Sequence, residues 1–121
     1  MADLLIIVPT LRRPANLERF LASFDATRQA DTKVLAVAEH DDRSYDRLTL
    51  PPRCFLARTA PGTLTAKLNY HAVPAAAIYP AVGYFGDDCV FETPGWDTMI
   101  LSALDRPGVS SASRIAAPSQ C

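Results

Sequence analysis

"LLIIVPTLRRPANLERFLASF", residues 4–24, changes its hydrophobic period halfway along, and that change decides the fold class. Leu4 to Val8 is a continuous apolar run, β-branched in part, and Pro9 stops it. A run so short and unbroken reads as a strand covered on both faces. Beyond the polar loop "TLRR", Pro14 suits the first turn of a helix, where a missing N–H costs nothing. Leu17, Phe20, Leu21 and Phe24 then fall at i, i+3, i+4 and i+7. That is the apolar stripe of an amphipathic helix of about three turns. A buried strand followed by a one-faced helix is the unit of a parallel α/β sheet.

The unit repeats down the chain. "KVLAVA" (33–38) predicts a second strand and runs into "EHDD". "DDRSYDRLTLPPR" (41–53) reads as a connection, with a short strand near "CFLA" (54–57). Gly62 and Thr63 introduce a predicted helix from Leu64 to about Val73, where Pro74 ends or kinks it. "AVGYF" (81–85) is the next strand. Thr93 and Pro94 supply a hydroxyl N-cap and a first-turn proline for a last helix. Its apolar face would be Trp96, Met99, Ile100, Ala103 and Leu104. "VSSASRIAA" (109–117) is a weak final strand or a loose tail. The chain is therefore expected to form one domain over 1–105, with 106–121 as final strand or tail. Alternating strands and helices imply right-handed crossovers and a three-layer α/β fold around a mostly parallel, Rossmann-like sheet of four or five strands.

Composition removes several function classes. The 121 residues carry a formal net charge of −1, so no overall field draws the chain to nucleic acid or an anionic membrane. General nucleic-acid binding is not expected. Cys54, Cys89 and Cys121 are an odd set without a C-x-x-C pair, which argues against a disulfide framework or a zinc knot. The N-terminal apolar run is too short and too acidic in its approach for a signal peptide. No stretch approaches the roughly 18 apolar residues of a membrane span. The expected location is cytoplasmic.

In an open parallel sheet, ligands bind beyond the carboxyl ends of the strands. Here "PTLRR", "EHDD" and "GDDC" each follow a strand directly, so three charged clusters converge on one sheet edge. Within "YFGDDCVFETPGW" (84–96), Asp87 and Asp88 repel one another and require water or a cation. Paired carboxylates suit a hard divalent ion that completes its shell with water and phosphate oxygens. Arg12, Arg13 and Lys67 would balance the remaining phosphate charge. A shared acid–base role fits less well, because adjacent strand residues point to opposite faces.

"LLIIVPTLRRPANLERFLASF", "AKLN" and "YFGDDCVFETPGWDTMIL" together resemble the N-terminal half of family 2-type glycosyltransferases of GT-A fold, most nearly the short bacterial and phage members. The resemblance runs over most of residues 3–104 and keeps the order of the motifs. It implies a truncated GT-A fold that binds a nucleotide diphosphate sugar through Mn²⁺ or Mg²⁺. By position, the loop after the first strand (Pro9, Thr10, Arg12) would contact the base. Glu39, with Asp41 and Asp42 behind it, would read base or ribose. Lys67 and Asn69 would lie near the nucleotide, and Asp87 and Asp88 would hold ribose and metal. Two departures stand out. Cys89 replaces a third acidic position, and residues 105–121 do not resemble the half that carries the acceptor site and catalytic base. No catalytic residue is assigned. A homo-oligomer, or a partner over the open sheet edge, is expected to complete the surface.

Plainer roles compete for several residues. His40 reads as an exposed loop residue, His71 as a structural one, and Trp96 as a packing anchor rather than a sugar platform. Cys89 as a nucleophile would need a base that the sequence does not show. At the level of the whole chain, the alternative to a transferase is a non-catalytic nucleotide-sugar binder or assembly component. A dinucleotide protein fits worse, because the first turn lacks G-x-G-x-x-G.

Overall fold

The computed structural model describes residues 2–104 and 115–116. β1 (Leu4–Pro9), β2 (Thr32–Glu39), β3 (Cys54–Thr59), β4 (Ala81–Tyr84) and β5 (Ile115–Ala116) form one sheet in the order β3-β2-β1-β4-β5. Every pairing in it is parallel. The helices are α1 (Pro14–Thr27), α2 (Leu64–Ile78) and α3 (Trp96–Leu104), and one short 3₁₀ turn covers Arg43–Tyr45. The chain is thus a three-layer α/β fold with a Rossmann-like sheet.

Strand alternation distributes β1 between two cores. Leu4, Ile6 and Val8 join Leu17, Phe20, Leu21 and Phe24 of α1 on one face. Leu5 and Ile7 meet Ala75 of α2 on the other, which explains why β1 is apolar throughout. The four α1 residues are at most 1% exposed, as their spacing predicts. Each stabilises the fold by about 1.5–3 kcal/mol through burial. α3 shares the face of α1, with the Trp96 ring edge-on to Phe24 at 6.3 Å and stacked on Phe91 at 3.8 Å.

Three local expectations change. α2 continues through Pro74 to Ile78. A proline inside a helix leaves the carbonyl one turn earlier without its N–H partner, here that of Tyr70. Tyr70 and Pro74 are both exposed, so water can serve that carbonyl, while Ala75 is buried against the sheet. Tertiary burial therefore overrides the helix breaker. α3 begins at Trp96, after a Pro94–Gly95 turn, rather than at Pro94. Its expected apolar face is also incomplete, since Met99 is 63% exposed. Cys89 is disulfide-bonded, which the cysteine spacing did not suggest. Of the segment expected as strand or tail, Ile115–Ala116 pairs with β4; the rest lies outside the described residues. Among the described residues no helix is long and apolar enough to cross a membrane.

Candidate functional site

The chain leaves β1 toward β2 and β3 on one side, then returns to lay β4 on the other side of β1. The carboxyl ends of β1 and β4 therefore flank the switch point where α/β sheets open a crevice. A cleft of about 420 Å³ lies there, lined among others by Thr10, Arg13, Lys67, Tyr84, Asp87 and Asp88. Pro9, Leu11 and Leu64 add an apolar wall.

The acidic pair sits on a tight turn closed by the Cys89 N–H donating to the Gly86 carbonyl at 3.2 Å. Phe85 and Cys89 anchor the turn in the core, so the two carboxylates separate. Asp87 is buried and Asp88 exposed. A Cβ on Gly86 would lie 2.7 Å from Asp88 Oδ1, so glycine lets that carboxylate fold back over the turn.

Asp87 has its charge answered by protein. Thr10 Oγ1 donates to Asp87 Oδ2 at 2.8 Å, and the Arg13 guanidinium stands 3.5 Å from Oδ1. Thr10 Oγ1 is also 2.5 Å from the hydroxyl of Tyr45, which accepts from the Arg13 N–H at 3.0 Å. Tyr45 is 2% exposed although it lies in the polar β2–β3 connection.

That connection is pinned by Asp42. Its carboxylate accepts from the Arg12 N–H at 2.8 Å and from the Ser44 N–H and hydroxyl, while Arg58 donates to its carbonyl at 2.6 Å. Burial alone would raise the Asp42 carboxyl, but the Ser44 and Arg12 hydrogen bonds outweigh it and hold the group below its ordinary value. Arg12 adopts a φ of 52°, a left-handed conformation that aims its N–H at Asp42. Asp42 is thus a loop anchor, while His40 and Asp41 are exposed.

Glu39, the last residue of β2, accepts from Lys67 Nζ at 2.7 Å. The Lys67 hydrogen bond, working against burial, holds the Glu39 carboxyl below its usual range, with help from the Gly62 N–H. Lys67 is nearly buried and lines the cleft, so this pair joins β2 to the first turn of α2 at the site. Asn69 is exposed and lines a separate depression with Tyr70 and Val73. The structure therefore brings Pro9, Thr10, Lys67, Asp87 and Asp88 to one cleft, with Glu39 joined through Lys67. Arg12 enters through its backbone, and Asn69 faces elsewhere.

No protein-family model and no curated protein sequence matches the chain. The site is read from its own chemistry.

Among the described residues, no three of His, Cys, Asp and Glu converge as a ready metal cage. Two adjacent carboxylates remain, one fixed and one open to solvent. Such a donor set fits a magnesium-like ion, which takes one or two protein carboxylates and fills its shell with water and substrate phosphate. It does not fit zinc, which takes three or four protein ligands, most of them nitrogen or sulfur. Burial pushes the Cys54 thiol up to about 12, assisted by the Asp25 charge, so it is not a nucleophile.

Two residues that the sequence reading missed matter most. Tyr45 sits in a segment without apolar periodicity, so nothing local marks it as buried. Asp97, in "PGWD", is fully buried and structural. Its carboxylate accepts from the Gln29 and Ala30 N–H groups, the Thr32 hydroxyl and its neighbour Thr98 N–H. Trp96 donates its indole N–H to Thr27 Oγ1 at 2.8 Å, which makes it a packing anchor.

Proposed function

We propose that the cleft binds the diphosphate of a nucleotide diphosphate sugar through Mn²⁺ or Mg²⁺. The observation that carries this reading is the unequal acidic pair at the switch point, facing Arg13 and Lys67 across the crevice. Asp88, exposed, would take the cation. Asp87, held by Thr10, would present Oδ1 to ribose or metal, with Arg13 displaced toward phosphate. The apolar wall of Pro9, Leu11, Leu64 and Tyr84 suits the flat or ring portions of the ligand. The cation, when bound, supplies charge to the leaving diphosphate.

In a transferase the bond from sugar C1 to the diphosphate oxygen breaks, its electron pair leaving with the diphosphate. An acceptor hydroxyl then bonds to C1 and gives its proton to a base. Glu39 is committed to Lys67, Asp87 to Thr10, and Asp88 to the cation. Among the described residues this leaves no carboxylate at the cleft free to be that base. That favours a second reading, in which the domain binds the nucleotide sugar without turning it over, as an assembly component or as the donor half of a larger site.

Calorimetric titration with UDP-, GDP- and dTDP-sugars, with and without Mn²⁺, tests the binding. One of the three should bind, and EDTA should remove the heat. Equal affinity in EDTA, or no binding of any of the three, overturns the proposal.

A further inference from the structure

Tyr45, Thr10 and Asp87 come from three different connections, at the carboxyl ends of β2, β1 and β4. All three are at most 5% exposed, and all meet in one hydrogen-bonded row. The direction of that row is forced. The Arg13 N–H can only donate, so Tyr45 Oη accepts from it. Asp87 as a carboxylate can only accept, so Thr10 spends its single proton there. The short contact between the two hydroxyls therefore has Tyr45 as donor and Thr10 as acceptor.

From this geometry we infer that Tyr45 is a positioning residue for Asp87. With Tyr45 donating to it, the Thr10 hydroxyl cannot rotate away, and its proton stays aimed at Asp87 Oδ2. The Asp87 side chain is then locked in the rotamer that keeps Oδ1 turned to Arg13 and the cleft. Tyr45 is itself held, because its ring is in the α1-side core and Asp42, three residues before it, ties its loop to the Arg12 and Ser44 N–H groups. The row thus transfers the rigidity of the β2–β3 connection to a carboxylate on the far side of β1. Asp88, exposed, takes no part in it. The functional weight of the inference rests on the reading of Asp87 as a ligand group; its geometric content does not.

The test uses the full chain, labelled with ¹³C and ¹⁵N, and three variants: Tyr45→Phe, Thr10→Val and Thr10→Ser. Three-bond couplings to the Asp87 Cγ report its χ1 without any ligand. Wild type and Thr10→Ser should show one rotamer, and Tyr45→Phe and Thr10→Val should show averaging. Affinity for the nucleotide sugar with Mn²⁺ should fall about tenfold in the same two variants and be rescued by serine. A merely structural tyrosine would lower stability in urea and leave the Asp87 couplings unchanged. A single Asp87 rotamer in Tyr45→Phe overturns the inference, whatever Thr10→Val does. Averaged couplings in a protein that binds none of the three nucleotide sugars uphold the positioning role and remove the proposed function instead.

Discussion

Two buried aspartates, Asp97 and Asp87, do opposite things. Asp97 is fully buried and takes hydrogen bonds from the α1–β2 turn, from Thr32 of β2 and from its own helix. Nothing about it faces a cleft. Asp87 is 5% exposed, has one hydroxyl donor, and shows its other oxygen to an arginine that is itself largely in solvent. Asp87 lies just beyond the end of β4, and Asp97 lies in the first turn of α3. What distinguishes them is saturation: a carboxylate whose lone pairs are all taken by protein is part of the frame. One left partly unspent at a strand end is available to a ligand.

Substitutions should separate the two. Asp97→Ala strands three donors between α1 and β2, the Gln29 and Ala30 N–H groups and the Thr32 hydroxyl, and should cost about 3–5 kcal/mol in urea unfolding. Asp87→Ala orphans chiefly the Thr10 hydroxyl, so the loss should be about 1–2 kcal/mol, with nucleotide binding abolished. A loss at Asp87 as large as that at Asp97 would break the distinction and make both structural.

Glu39 offers an intermediate case through pH. Its folded value lies below the ordinary 4.5, chiefly because of Lys67. A depressed carboxyl stabilises the fold fully above its unfolded value, and that contribution is lost as pH falls through the folded value. Stability should therefore decline on acidification below about pH 4.5, with Asp42 adding to the decline. Glu39→Gln should flatten that limb by lowering stability above about pH 6 while leaving the acid end little changed, because the neutral amide lacks the ion pair at every pH. An unchanged acid limb in this variant would show that the pair contributes nothing.

Smallest in stability should be Asp88→Ala, within about 0.5 kcal/mol of wild type, because its carboxylate is in water. The same change should abolish the metal dependence of nucleotide binding. Retained Mn²⁺ dependence would move the cation site away from the acidic pair.

The sequence alone determined the layers and which polar clusters share a sheet edge. The i, i+3, i+4, i+7 stripe of α1, the apolar run of β1 and the Thr63 N-cap of α2 are local signals, and local signals survive in one dimension. Because polar clusters follow the strands directly, parallel strands must bring them to one edge, and Thr10, Lys67, Asp87 and Asp88 do meet there. What tertiary structure decided was the partnering. Thr10 reaches Asp87 across 77 residues, Glu39 reaches Lys67 across 28, and Asp97 reaches Thr32 across 65. No period in the chain encodes those pairs, since they depend on the order β3-β2-β1-β4 and on the packing of α3 beside α1. Tyr45 shows the limit most clearly. A lone aromatic in a polar connection becomes buried because the α1-side core accepts its ring and the β1–α1 loop satisfies its hydroxyl, through Thr10 and the Arg13 N–H. Burial and saturation are properties of neighbours, and only the folded chain supplies them.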